Sequence, residues 1–440
     1  IYASLKQLLF YLDSLYFGNF PPLRLPVEWK NSDTASLDYN TVSNLELERT
    51  LIGGERVGSL LWAIDRTQTP MGKRLLSDVV KNPLKNRDKI LLRQCCAATL
   101  FEDPVLLREV TDSLGSIKDF ERTLSRILVK RGGPREISML ASSLLLAVRL
   151  RSYIMSMPDR MPFFAGDEPL QLTEERIVSW QKRFLEEAPL IYREGGFVDP
   201  DFSHEVFELS DFIHNFRSHI VALEAKEREK SQIPSLKVGF NKVFGYFFEI
   251  SKRFEKQVPD YFIRKQTTVG AERYFTAELK ELEEKISSAK DRLTALELKI
   301  LDDTVNEIAS FKDDILAAAK FTAWIDLFCG FAKLAVEKNY CRPLISDEEG
   351  IEIVDGRHPV VEACLKDTRY VPANVSIGSG SKRFCLITGP NMGGKSTLMR
   401  MTALIVLLAQ TGSFVPAESA KIGIVDAIFT RVGASDNLSR

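Results

Sequence analysis

A glycine-rich segment near the end of the chain constrains the fold most: Gly389-Pro390-Asn391-Met392-Gly393-Gly394-Lys395-Ser396-Thr397. It matches the phosphate-loop pattern G-x-x-x-x-G-K-[ST]. The apolar run Phe384 to Thr388 before it predicts a buried strand, and Ser396 to Leu408, which lacks Gly and Pro, predicts a helix. Glycine-loop N–H groups and a helix N-terminus together surround a phosphate. The segment therefore predicts a nucleoside triphosphate site, and a ligand-free turn is the bland alternative.

Two side chains of this motif carry its chemistry. Lys395 is expected to neutralise the outer phosphates, and the Ser396 hydroxyl is expected to ligate Mg²⁺. Hydrolysis needs a further strand that ends in acidic residues, and no apolar strand ending in Asp-Glu follows Thr397. We therefore expect an interior fragment of a longer protein, one that binds nucleotide weakly and hydrolyses it poorly, with no catalytic residue of its own.

Length and composition set the class of protein. With 440 residues, 45% hydrophobic and 27% charged, the chain has the composition of a soluble multidomain protein. Its net charge of −1 excludes a globally basic nucleic-acid binder, so any such affinity must be local. The six cysteines show no C-x-x-C pairing, which favours reduced core thiols over a metal site. No apolar run approaches the roughly 20 residues of a membrane span.

Heptad spacing in the middle of the chain predicts an extended arm. Residues 1–190 have helical patterns, including a helix start at Thr69-Pro70-Met71-Gly72. Two apolar seams with heptad spacing then follow: Val206, Leu209, Ile213, Phe216, Ile220 and Leu223, and, after the N-cap Thr276, Leu279, Leu282, Ile286, Ala289, Leu293, Leu296 and Ile300. Together they predict an antiparallel pair of long helices, whereas ordinary core packing explains either seam alone.

A basic, β-rich segment lies between the two seams. Leu236–Phe240 and Tyr246–Ser251 predict a hairpin punctuated by Gly245, with the neighbouring aromatics in its core. Between Leu236 and Phe275 the basic residues are Lys237, Lys242, Lys252, Arg253, Lys256, Arg264, Lys265 and Arg273, and only four acids oppose them. Such a tip suits a nucleic-acid backbone, and an ordinary solvated surface is the alternative.

These motifs together resemble the bacterial branch of the MutS family of DNA mismatch repair ATPases, over essentially the whole chain. The segments that carry the resemblance are Thr388–Thr397, Asp355-Gly356-Arg357-His358-Pro359-Val360-Val361, Tyr370-Val371-Pro372, Phe429–Asp436, Leu236–Ser251, Arg264–Thr267, Ala271–Tyr274 and Thr69–Gly72. At the clamp tip, Val269-Gly270 replaces the Lys/Asn character frequent in the family.

The resemblance implies a multidomain fold. It has a mainly α-helical core with long lever helices, a small β-rich clamp insert and a truncated α/β P-loop ATPase domain of the ABC type. The implied boundaries are 1–35 for the end of the connector region, 36–192 for the first part of the helical core, 193–285 for the clamp with lever helices, 286–340 for the return of the lever and core, and 341–440 for the ATPase domain.

The resemblance also implies ligands and partners. ATP or ADP with Mg²⁺ would bind at Gly389–Thr397, where Asn391 helps to fix the phosphates and Met392 lies within the motif. Tyr370 would lie against adenine, although a surface tyrosine packed on its own sheet is the competing interpretation. Mismatched double-stranded DNA would contact Lys242, Arg264, Lys265, Thr267 and Arg273. A homodimer, a MutL-like partner and a bacterial cytoplasmic, nucleoid-associated location complete the expectation.

The implied function is an ATP-dependent DNA clamp in mismatch repair. One alternative is a MutS-like recombination protein without mismatch reading. A chromosome-structure ATPase with a coiled-coil arm is disfavoured, because its P-loop would lie near the N-terminus. A P-loop phosphotransferase, which predicts no DNA affinity, is the remaining alternative.

Overall fold

A computed structural model describes residues 2–16, 33–241, 245–267, 270–365, 370–378, 383–390 and 393–431. The helices are α1 Tyr2–Tyr16, α2 Tyr39–Asn44, α3 Leu60–Ile64, α4 Pro70–Lys81, α5 Arg87–Glu102, α6 Pro104–Gly115, α7 Phe120–Leu128, α8 Pro134–Met155, α9 Glu174–Lys182, α10 His204–Ser231, α11 Ala277–Ser310, α12 Lys312–Lys338, α13 Pro359–Cys364 and α14 Lys395–Thr411. The strands are β1 Ser36–Leu37, β2 Lys237–Asn241, β3 Gly245–Ser251, β4 Ile263–Thr267, β5 Ala271–Phe275, β6 Leu344–Ser346, β7 Ile351–Gly356, β8 Ala373–Ile377, β9 Ser419–Gly423 and β10 Ala427–Ile428. The prediction of a mainly helical chain with small sheets is confirmed.

The chain divides into two compact units. The first comprises residues 1–129, 139–177 and 311–440, and the second comprises 130–138 and 178–310. The domain boundaries that the resemblance implies are a finer division and remain predictions.

In the first unit, α12 is the central helix. Its apolar side chains are buried along most of its length, and it packs against α4, α5, α6 and α7. The start of α4 is held by Thr69, whose hydroxyl accepts a hydrogen bond from the Gly72 N–H at 3.0 Å, with Pro70 at the first helical position. This confirms the helix start predicted from Thr69-Pro70-Met71-Gly72.

A mixed sheet and α14 share that helical core. The sheet has the order β6-β9-β7-β8, in which β6 and β9 are parallel and β7 is antiparallel to both β8 and β9. Helix α14 packs against β7, α4 and α5, and its buried face from Met401 to Ala409 belongs to the same apolar cluster as α12. The glycine-rich loop therefore leads into a helix that is built into the main core of this unit.

The strand predicted at Phe384 to Thr388 is absent. Residues 383–390 form no strand, and the side chains of Phe384 and Leu386 are 84% and 78% exposed. An apolar run becomes a strand only where a neighbouring strand pairs with its N–H and C=O groups. Within the described residues, none of the strands of the β6-β9-β7-β8 sheet pairs with this run.

In the second unit, α10 and α11 form the predicted antiparallel pair. Lys226 Nζ lies 2.5 Å from Glu278 Oε1, so the end of α10 lies beside the start of α11. Arg292 Nη2 lies 3.6 Å from Glu205 Oε1, so the start of α10 lies beside the middle of α11. Every residue of the two predicted seams is buried or half-buried. Both seams, and the antiparallel arrangement, are confirmed.

The connection between α10 and α11 forms a four-stranded antiparallel sheet of order β2-β3-β5-β4, which we call the arm sheet. The predicted hairpin is its β2–β3 pair, and the second hairpin, β4–β5, was not resolved by the sequence pattern. Phe247 and Phe248 are buried as predicted, but Phe240 is 60% exposed, so its assignment to the core was wrong. Phe240 lies on the outer strand β2, and its ring lies 4.8 Å from that of Tyr246, centroid to centroid. Phe244 lies outside the described residues.

Among the residues that the structure describes, two helices, α8 and α12, are long and apolar enough to span a membrane by length and composition. In their most apolar windows, 56% and 78% of the residues are buried inside the protein, as expected of helices in a protein core.

Candidate functional site: the glycine-rich loop and the basic arm sheet

The glycine-rich loop turns sharply into α14. Gly394 has a φ of +81°, a conformation that disfavours any other residue, and its carbonyl accepts the Leu398 N–H at 2.9 Å as the first bond of the helix. Gly393 N–H donates to the Pro390 carbonyl at 3.2 Å. Lys395 is the first helical residue, so the glycine pair places its side chain at the helix N-terminus.

The side chain of Lys395 bends back across the loop. Its Nζ donates a hydrogen bond to the Gly389 carbonyl at 2.5 Å. Ser396 and Thr397 lie half-buried in the first turn of α14. The structure thus brings Gly389, Lys395 and Ser396 to one helix end, where partial positive charge favours an anion. Asn391 and Met392 lie outside the described residues.

Tyr370 packs against the same helix. It is half-buried, its Oη lies 3.9 Å from Met401 Sδ, and burial raises the pKa of its hydroxyl. Met401 is six residues beyond Lys395, which corresponds to about 9 Å along the helix axis. Tyr370 therefore lies along the flank of α14 and not in the glycine loop itself.

Beside Tyr370, His358 begins α13. Its Nδ1 accepts the Val361 N–H at 3.3 Å, and burial, reinforced by the charge of Arg400, lowers the pKa of His358 to about 4. The imidazole is consequently neutral at pH 7 and acts as a helix cap. Arg400 is itself 5% exposed and lies one turn beyond Ser396 on α14.

The C-terminal end of α14 is held by hydrogen bonds of two residues that sequence reasoning missed. Arg93 on α5 donates to the Thr411 carbonyl at 3.1 Å, its guanidinium lies 4.7 Å above the Trp324 ring, and burial lowers its pKa to about 10. The Gln410 amide donates to the Leu84 carbonyl at 2.7 Å, while its oxygen accepts the Val425 N–H at 3.0 Å. A cation at a helix C-terminus is favourable. These contacts therefore fix the end of α14 that lies opposite to the glycine-rich loop. Gly412, a helix-ending glycine next to Thr411, was the available sequence signal.

Two of the basic residues proposed to contact DNA already form ion pairs with carboxylates of the arm sheet. Arg264 pairs with the carboxylate of Glu272, which is almost completely buried, and with Glu255 at 3.7 Å. Arg273 Nε lies 3.3 Å from Glu249 Oε2, and its guanidinium covers the Phe247 ring at 4.3 Å. These pairings could not be predicted from the sequence, because the partners lie on other strands or turns of the arm sheet.

The remaining predicted contacts lie on or near β4. Lys265 Nζ lies 5.3 Å above the Phe275 ring, and the Thr267 hydroxyl accepts a hydrogen bond from Arg264 at 2.8 Å. Both residues are exposed. Lys242 lies outside the described residues.

The fold and these sites define a class of protein: a multidomain, mainly helical chain with a phosphate-loop motif at one helix N-terminus and a two-helix arm that ends in a small basic sheet. Two family models match it. The model for MutS domain III matches residues 40–332, and the model for MutS domain V matches residues 385–440. The chain belongs to the MutS family, which confirms the resemblance drawn from the motifs.

Curated relatives agree with this assignment. The chain is 41% identical over 404 residues to the DNA mismatch repair protein MutS of Acetivibrio thermocellus, covering 92% of this chain and 46% of that protein. It is 42% identical over 417 residues to the protein of the same name from Anaeromyxobacter dehalogenans, and 40% identical over 414 residues to that of Thermodesulfovibrio yellowstonii, each time covering 93% of this chain and 47% and 48% of the relative. The chain thus spans about half the length of the curated relatives it matches.

Proposed function

We propose that this chain is the helical, arm and P-loop part of a DNA mismatch repair protein, which binds ATP at the glycine-rich loop and holds mismatched duplex DNA with the arm sheet. The observation that carries the proposal is the presence, in one MutS-family chain, of a phosphate-loop motif at the start of α14 and a basic sheet at the end of α10 and α11. The relatives named above carry the name DNA mismatch repair protein.

ATP or ADP binds at Gly389–Thr397 in this proposal. The phosphates take the place of the Gly389 carbonyl as the partner of Lys395, so that the ammonium exchanges one bond to a neutral carbonyl for bonds to negatively charged phosphate oxygens. Asn391 and Met392 belong to the same loop, and Asn391 helps to fix the phosphates. Tyr370 presents its ring to the adenine from the flank of α14.

Mg²⁺ is the metal that fits this loop. Mg²⁺ prefers oxygen ligands and keeps several waters, so a single protein hydroxyl together with phosphate oxygens completes its shell. Ser396 supplies this hydroxyl from the first turn of α14. In the described part of the chain, no cluster of three or more His, Cys, Asp or Glu offers a separate metal cage.

DNA lies against the arm sheet in this proposal. Lys265 and Thr267 present exposed polar groups on β4, and Lys242 follows β2 in the sequence. Arg264 and Arg273 contribute the guanidinium N–H groups that do not bind their carboxylate partners. Such contacts go to phosphates, so they fix the position of the duplex without reading its sequence.

In the longer protein, two copies pair around one duplex and signal to a MutL-like partner when ATP binds. The levers α10 and α11 transmit the nucleotide state to the arm sheet, which requires that each state favours a different arm arrangement. The setting is the bacterial cytoplasm, in association with the nucleoid.

A duplex-binding titration tests the proposal. The chain is titrated into a fluorescent duplex, with and without one mismatched base pair, at salt concentrations between about 50 and 200 mM. We expect binding that weakens steeply with salt. A phosphotransferase that uses the same loop on a small acceptor would show no duplex affinity at any salt concentration, and that result would refute the proposal.

A further inference from the structure

We propose that the turn Lys252–Gln257, here called the basic turn, is a second phosphate-contact site on the arm sheet and carries much of its salt-dependent affinity for duplex DNA. This inference rests on the proposed function, which assigns the DNA contacts to β4, β5 and Lys242. It adds three cations to those contacts: Lys252, Arg253 and Lys256.

The basic turn lies beside one end of the arm sheet. It is a 3₁₀ segment that directly follows β3, and the last residue of β3, Ser251, is paired with Ala271, the first residue of β5. The turn therefore lies next to the end of the β4–β5 hairpin, the same end at which Thr267 is found. A duplex that contacts this hairpin end also passes the basic turn.

The turn is held rigidly enough to present its charges. Phe254 and Val258 pack against the apolar cluster of the arm sheet, which contains Phe248, Phe262 and Tyr274. With these apolar side chains directed inward, Lys252, Arg253 and Lys256 are exposed to solvent. An ordered backbone lowers the entropy that the turn would lose on binding.

The three cations of the turn form no ion pair with the residues that the structure describes. Over the residues that the structure describes, no carboxylate lies within 4 Å of Lys252, Arg253 or Lys256. The one acid of the turn, Glu255, pairs instead with Arg264 of β4, at 3.7 Å. The turn thus presents three positive charges that its own acid does not neutralise.

The arginines of the neighbouring strands are in the opposite situation. A phosphate that recruits Arg264 must compete with Glu272, whose side chain is only 3% exposed, and must leave that carboxylate buried without its partner. Removing one partner of a buried pair is strongly unfavourable. Lys252, Arg253 and Lys256 can pair with a phosphate, and so displace the counterions of the DNA, without this loss. They are therefore the more favourable contacts.

Salt dependence gives the expected size of the effect. Each phosphate neutralised on B-form DNA contributes about 0.9 to the slope of log K against log salt. The triple variant Lys252→Gln, Arg253→Gln, Lys256→Gln should therefore have a slope smaller by about 2 to 3. Between about 50 and 200 mM salt, the unchanged chain then loses up to about 40-fold more affinity than the variant.

Two further variants make the experiment specific. The charge-preserving variant Lys252→Arg, Arg253→Lys, Lys256→Arg should keep the slope of the unchanged chain. A matched neutral variant on α11, Lys285→Gln, Lys290→Gln, Lys299→Gln, removes three equally exposed cations from a helix, and it should also keep that slope. Thermal melting of every variant checks that the fold is retained, as expected for exposed positions.

The outcomes separate the inference from the function on which it rests. A reduced slope in the neutral basic-turn variant alone supports it. An unchanged slope in that variant, beside clear salt-dependent binding by the unchanged chain, overturns the inference and leaves the proposed function standing. An equal reduction of the salt slope in the α11 variant also overturns the inference, because any three exposed cations would then have the same effect. Absence of duplex binding by the unchanged chain refutes both.

Discussion

Replacing Glu297 by Gln should loosen one specific loop of the second unit. Glu297 lies on α11, is 1% exposed, and its carboxylate accepts three backbone N–H groups: Gly196 at 2.6 Å, Phe197 at 3.0 Å and Val198 at 3.0 Å. Oε1 takes two of these bonds, and Oε2 takes the third. The side chain thereby fixes the segment before α10 against the middle of α11.

The size of the effect follows from this geometry. The amide oxygen of Gln can keep the two bonds of Oε1, but its NH₂ group then faces the Gly196 N–H, which loses its acceptor. An unsatisfied buried donor costs about 1–3 kcal/mol, and each retained bond weakens by about 1 kcal/mol when its acceptor loses its charge. The lower cost of burying a neutral group offsets part of this. We expect a net local destabilisation of about 2–3 kcal/mol.

Hydrogen exchange measures this loosening where it occurs. Since about 1.4 kcal/mol corresponds to a factor of ten, the amides of Gly196, Phe197 and Val198 should exchange roughly 30- to 150-fold faster in the Gln variant. Glu284→Gln, the same chemical change at an exposed position of α11, is the control and should leave them unaltered. Unchanged exchange at these amides in Glu297→Gln would refute the reasoning.

Three further predictions concern buried contacts and the arm sheet. Burial raises the pKa of Asp326 to about 6, so the carboxyl group of Asp326 binds a proton more tightly in the folded state than in the unfolded chain. The free-energy penalty for its buried charge therefore disappears as the pH falls from 7 through 6 toward 4. As the pH falls over this range, the melting temperature of the unchanged chain should rise relative to that of Asp326→Asn. A difference that stays constant with pH would contradict this. Gly72→Ala should lower the melting temperature, because a Cβ there would meet Asp326 Oδ2 at 2.1 Å, whereas Gly115→Ala meets nothing within 4 Å and should not; equal melting temperatures would count against the packing argument. Arg273→Gln should destabilise the arm sheet by about 1 kcal/mol through the loss of Glu249 and the Phe247 ring, and increased exchange at β5 amides is the test.

Local patterns predicted the long elements well. The seams of α10 and α11 could be located because heptad spacing persists over many turns and Thr276 marks a helix start. Helix α14 was predictable because the glycine pair and the following helix formers agree. In each case, the information lies within one continuous segment.

Contacts between distant segments could not be predicted in this way. The apolar run at Phe384 has the composition of a strand, but strand formation depends on a partner, which composition does not reveal. Arg264 and Arg273 looked like free cations, since their carboxylate partners lie on other strands or turns of the arm sheet. Arg93, which holds the end of α14 from 318 residues away, carries no motif at all.

The binding of Mg²⁺·ATP to the unchanged chain and to Lys395→Ala, measured by isothermal titration calorimetry, tests the central claim most directly. Lys395 lies at the N-terminus of α14, and loss of its charge-assisted bonds to phosphate should weaken the affinity by roughly 10- to 150-fold. Lys320→Ala, an exposed lysine of α12, should bind as the unchanged chain does. Equal affinity of the Lys395→Ala variant and the unchanged chain would contradict the assignment of the glycine-rich loop as the nucleotide site.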